Sequence, residues 1–195
     1  MLKPGSISAE LKKSRTLEYP SSIAVFGQLL RLNPFFAFLM ARYTAFELAT
    51  YLFQNATEDP IKIQKLLYIS FGFYGVLNRG VMLFDEEIQA WTYGPVIPDV
   101  YTYQHRLPFQ PPIDLDPKTK RILDRVIATY GKKHPFDLVH LTHQPNTPWS
   151  LFYQEGANNE IPKGAILDHY SVVLKASIVM LSGNSRRIME DFARR

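Results

Sequence analysis

FDEEIQAWTYGPVIPDVY, residues 84–101, is the stretch whose reading decides the fold of this chain. Alternation from Ile88 to Tyr93 sends Gln89, Trp91 and Tyr93 to one face and Ile88, Ala90 and Thr92 to the other, the pattern of a strand. Gly94 reaches backbone angles closed to other residues, and Pro95 keeps it out of the right-handed helical region. Pro98 suits the first turn of a helix, and Asp99 beside it complements the positive N-terminal end. The stretch predicts a short strand, a fixed bend and a helix start, with two bulky aromatics beside the bend. Such an element serves recognition or packing. It holds no nucleophile, phosphate loop or metal-ligand cluster.

Outward from this element the chain reads as helices. One is expected at about 43–54, with Ala45, Leu48, Ala49, Leu52 and Phe53 on one stripe. Asp59 and Pro60 mark the start of the next, about 60–77, whose buried stripe is Ile63, Leu66, Leu67, Phe71 and Tyr74. Helices at 98–105, from Pro117 to the stop at Gly131, at 135–143 and at 163–181 follow. Residues 145–159 read as loop-rich, and 185–195 as a short basic terminal helix. The predicted fold class is mainly α: a single compact helical domain with a short β element near 88–96.

Composition bounds the function. At 195 residues the chain is long enough for one domain with a proper core plus an extension. With 46% hydrophobic and 21% charged residues it is a globular chain. Its 11 Tyr and 13 Phe are numerous enough to leave some rings at the surface, which suits binding of another macromolecule. Cysteine is absent, so disulfides, thiol catalysis and Cys-based metal sites are excluded. The net charge of +4 could suggest nucleic acid, but its location argues otherwise. Residues 1–43 carry six basic and two acidic side chains, whereas 44–195 carry sixteen of each. No run of about 20 apolar residues occurs, so no transmembrane helix is expected. The nearest, 23–40, is interrupted by Gln28, Arg31, Asn33 and Pro34. It also lacks the small-residue cleavage site of a secretory signal.

Several groups invite a chemical reading. His140 and His143 are three apart on a helix and could reach one metal, with a third ligand from His134, Asp137 or Glu155. Without a fixed third partner they read as structural or capping histidines. Asp85, Glu86 and Glu87 read as a solvated turn, or as a contact to a basic partner. Lys62 and Lys65 share a helix face beside Gln64 and Tyr68, which is a solvated rim or a partner-binding face. Trp91, Tyr93 and Trp149 suit either the core or a half-buried interface. Arg186, Arg187, Arg194 and Arg195 read as a solvated terminus.

Three motifs taken together carry a resemblance. They are Lys62-Ile63-Gln64-Lys65-Leu66-Leu67-Tyr68, the 84–101 element, and Leu138-Val139-His140-Leu141-Thr142-His143 followed by Pro148-Trp149. In this order the chain resembles the Panacea-domain family of SocA-like antitoxins, also known as GepA-like phage-associated proteins, over about residues 43–181. Phe71 and Phe73 stand where the family often has Gln and Trp, and Gln89 and Thr92 where Glu and Lys are common. The resemblance implies a mainly helical bacterial or phage cytoplasmic protein that neutralises a cognate toxin by direct binding. It implies no enzymatic activity and no cofactor. Carried over by position, the partner-binding candidates are Gln64, Lys65, Tyr68, Glu87, Trp91 and Tyr93. The structural motif residues are Gly94, Pro95, His143 and Trp149. Among them Lys65, Glu87 and Tyr93 are the expected contacts.

The resemblance also divides the chain into an N-terminal extension, 1–39, and a Panacea domain, 40–195. One expectation is that Met40 is the true start; the other is that 1–39 is a genuine basic arm. Two competing functions are a nucleic-acid-binding regulator of its own operon, resting on the basic termini, and a metal-dependent enzyme built on His140 and His143.

Overall fold

Helix α2 is the axis around which the other described elements are packed. In the computed structural model, which describes residues 41–181, helix α1 spans Ala45–Asn55, α2 Pro60–Leu77, strand β1 Gln89–Trp91 and strand β2 Gly94–Val96. Helix α3 covers Pro98–Tyr103 and runs into a 3-10 segment, Gln104–Phe109. Helices α4 (Pro117–Tyr130), α5 (Pro135–Thr142), α6 (Pro148–Phe152) and α7 (Lys163–Leu181) complete the order. The described residues fall in one compact unit, Met40–Arg195. The expected extension 1–39, the Met40 start and the basic terminal helix lie outside the described residues.

The mainly helical fold with a small β element is what the structure shows, but α2 is not the amphipathic helix expected. Every residue from Ile63 to Gly72 is buried, on all faces, because α1, α3, α4, α5, α7 and β2 pack around it. A helix apolar around most of its circumference can only be a central one. Asp59 caps it by accepting from Lys62 N at 2.8 Å, with Pro60 in the first turn.

Helix α1 begins with a reciprocal capping box between Thr44 and Glu47. Its first amide, Ala45 N, donates to Glu86 Oε1 at 2.8 Å. The acidic trio is therefore not a solvated turn throughout. Glu86 is half-buried as a second cap for α1, and burial pushes its carboxyl above the usual range. Asp85 faces Lys163 at 4.0 Å. Helix α4 presents the face read from its pattern, with Leu123 and Val126 buried and Ile122, Ile127 and Tyr130 against the core. The segment read as loop-rich contains α6, capped by Thr147.

Between α2 and α7 the contact is close. A Cβ built on Gly72 would come 2.1 Å from Cδ2 of Tyr170, and one on Gly75 3.0 Å from Leu167. Gly72→Ala is therefore expected to force the two helices apart and to destabilise the domain by about 1–3 kcal/mol. Urea denaturation of the variant checks this; an unchanged midpoint would show that the Tyr170 ring moves aside freely.

Candidate functional site

The 84–101 element folds as a two-stranded antiparallel hairpin, pairing Gln89 with Val96, Ala90 with Pro95 and Trp91 with Gly94. Neither Thr92 nor Tyr93 has positive φ; the reversal is completed by Gly94 at φ +98°. That position favours glycine sterically, and a Cβ there would also meet Lys65 Cε at 2.7 Å and Thr142 Oγ1 at 2.8 Å.

Two neighbouring side chains of α2 hold the second strand. Gln64 Oε1 accepts from Ile97 N at 2.8 Å, and its Nε2 donates to Ile97 O at 3.3 Å. Lys65 Nζ donates to Pro95 O at 2.9 Å. Gln64 and Lys65 are both buried, Lys65 at 1% exposure. The solvated rim expected for Lys65 is thus overturned: the helix has no free face at that position. Burial lowers its ammonium to about 7 from the ordinary 10.5. Tyr68, one turn further on, is buried as well. Gln64, Lys65 and Tyr68, expected as partner-binding candidates, are thus buried side chains, and the polar ends of Gln64 and Lys65 are bonded to the hairpin backbone.

The first strand is fixed from its other side. Trp149 Nε1 donates to Trp91 O at 2.8 Å. The Trp149 ring is stacked between His143 (centroids 3.5 Å apart, planes 3° apart) and Tyr153 (4.5 Å, 21°). Burial, with Lys65 and His140 nearby, lowers the His143 imidazole, which favours its neutral form. His140 instead lies with Nε2 2.9 Å from Gln144 Nε2. No group of three metal-ligating side chains gathers anywhere among the described residues.

On the outer face of β1 the side chains form a relay. Trp91 Nε1 donates to Gln89 Oε1 at 2.8 Å, and Gln89 Nε2 to Glu87 Oε1 at 3.0 Å. Trp91 also meets Tyr101 edge-to-face at 4.9 Å. Beside it lies a groove of about 260 Å³, walled by Pro60, Ile61, Trp91, Tyr93, Val96 and Tyr101, with Gln64 and Lys65 at its lining.

Tyr93 projects from the hairpin tip, 58% exposed. It meets Phe136, 53% exposed, edge-on at 6.2 Å, and the His134 ring stacks on Phe136. The sequence reading missed Phe136. Its signal was present: it lies beside the α5 cap residue His134 and off the buried positions Leu138, Val139 and Thr142. Of the other partner-binding candidates, the structure places Tyr93 and Glu87 at the surface and Trp91 half-buried between groove and fold.

Residues 63–150 match the family model described as Antitoxin SocA-like, Panacea domain. This segment is similar to a Panacea domain. It contains the helix-α2 anchors, the hairpin they hold, and the His143–Trp149 stack. No curated protein and no solved structure matches the chain. No helix among the described residues is long and apolar enough to cross a membrane.

The Lys65 anchor has a pH signature. The unfolded chain keeps the lysine proton up to the ordinary 10.5, whereas the folded protein releases it near 7. Between these values the unfolded state binds more protons, so this group makes stability rise with pH. Relative to Lys65→Met, the wild type is expected to gain up to about 1.4 kcal/mol per pH unit within that window. Denaturation of both proteins at several alkaline pH values measures the difference, and a flat one would mean that Lys65 keeps an ordinary proton affinity.

Proposed function

We propose that this protein is the antitoxin of a toxin–antitoxin pair and neutralises its cognate toxin by direct protein–protein binding. The contact surface in this reading is the Tyr93–Phe136 ridge, the adjoining groove beside Trp91, and Glu87. It works in the cytoplasm, without catalysis, cofactor or nucleic acid. The antitoxin description of the matching family model supports the role.

The observation that carries the choice of surface is an exposed aromatic ring at the tip of a hairpin whose two strands are anchored to the core. Gln64 and Lys65 hold one strand and Trp149 the other. Large aromatic side chains supply most of the energy at many interfaces. A surface already fixed in place loses less conformational freedom on binding. Tyr93 and Phe136 satisfy both conditions, and they leave the core untouched if replaced.

Co-expression with the product of the adjacent open reading frame tests the reading. The wild type is expected to suppress that protein's toxicity. The double variant Tyr93→Ala/Phe136→Ser is expected to lose at least about 2 kcal/mol of binding, roughly thirtyfold in affinity, with an unchanged circular dichroism spectrum. Full rescue by the double variant would move the contact elsewhere, and absence of rescue by the wild type would remove that gene product as the target.

A further inference from the structure

A second concavity lies apart from the hairpin groove, and nothing in the antitoxin reading uses it. It is a pocket of about 210 Å³ between α2, α4, the α5–α6 corner and α7. Tyr68 comes to it from α2, Tyr130 from α4, and His169, Tyr170 and Val173 from α7. Tyr68 and Tyr170 meet edge-on at 5.8 Å, so their rings form a continuous aromatic wall. The Tyr68 hydroxyl is buried and has no hydrogen-bond partner among the described residues.

A buried hydroxyl without an acceptor is a standing cost to the fold unless something else supplies one. The neighbouring threonine hydroxyls spend their own protons on backbone carbonyls, and neither accepts from Tyr68. Thr142 Oγ1 donates to Val139 O at 2.9 Å, and Thr147 Oγ1 to Thr142 O at 2.7 Å. Burial raises the phenol groups of Tyr68, Tyr130 and Tyr170, so all three stay protonated and can donate. Burial also lowers the His169 imidazole, which favours its neutral form. Among the described residues no Asp, Glu, Lys or Arg lines the pocket. An anion entering it would lose its hydration without finding a cation, and a cation would do so without finding a carboxylate. Leu141, Pro145 and Val173 supply apolar wall. The volume is below the range of drug-sized sites, so the occupant is compact.

We propose that this pocket is a binding site for a small uncharged molecule with an apolar body and one hydrogen-bond acceptor, which takes the unspent donor of Tyr68. A carbonyl or amide oxygen on a single ring has this chemistry. The site is independent of the toxin-facing surface, so its fate and that of the antitoxin reading are decided separately.

Three probes of one shape and different charge test it: benzamide, benzoate and benzylamine, each titrated into the full chain and followed by amide NMR. Benzamide is expected to give saturable shifts at Tyr68, Thr142 and Tyr170. Benzoate and benzylamine are expected to bind at least tenfold more weakly. Tyr68→Phe keeps the ring and removes only the hydroxyl; it is expected to stay folded and to weaken benzamide about three- to tenfold. Val173→Trp, which fills the pocket, is expected to abolish the shifts. Equal binding of all three probes, undiminished binding by Tyr68→Phe, or an absence of saturable shifts in the wild type would each overturn the proposal. The last outcome would leave water as the partner of Tyr68.

Discussion

One glutamine side chain reads both polar groups of a single backbone residue, and the rest of the structure depends on it. Gln64 accepts from Ile97 N and donates to Ile97 O, and Lys65 adds a bond to Pro95 O. These bonds fasten the end of a two-stranded hairpin to the most buried helix of the domain. A hairpin this short has little stability of its own in water. Its position is therefore inherited from α2, and α2 is in turn held by the helices packed around it. The Trp149 indole then fixes the opposite strand, so the exposed tip stands on supports from two helices, α2 and α6.

Much of this arrangement was legible in the sequence, and the part that was not has a physical reason. Alternation around Trp91, the Gly-Pro bend and the proline-marked helix starts all depend on local backbone geometry, which the residues themselves dictate. The buried face of α4 follows in the same way from its period. Lys65 was misplaced because residue type and spacing from Lys62 pointed to solvent, while burial is decided by what surrounds the helix. The better signal was the rest of α2. From Leu66 to Leu77 it has no charged side chain, so it offers no polar face to solvent. A lysine within such a helix has its stem among apolar neighbours and its ammonium at whatever acceptor the fold provides.

The candidate site shows the same division. Tyr93 was expected as a contact through the family resemblance, while its pattern placed it on the strand; the strand ends at Trp91, and Tyr93 stands exposed in the turn. Phe136 was not recognised, because its closeness to Tyr93 arises from α5 packing beside β2. Its exposure could be read from its place on α5, but a contact between residues more than forty positions apart leaves no local pattern. Glu86 illustrates the converse: an acidic residue in a charged run became a helix cap through a partner in α1.

The segment after α6 gives the hairpin a property that matters for any partner. Ala90 N donates to Asn159 O, Ile161 N donates to Ile88 O, and Gln89 bridges to Glu160. The outer edge of β1 is therefore already occupied. On β2, Pro95 has no amide hydrogen and its carbonyl is taken by Lys65. A strand from another chain would find neither edge open, so the hairpin is closed to recruitment by sheet extension. Recognition at this corner must run through side chains, which frees the backbone geometry from the sequence of whatever it meets.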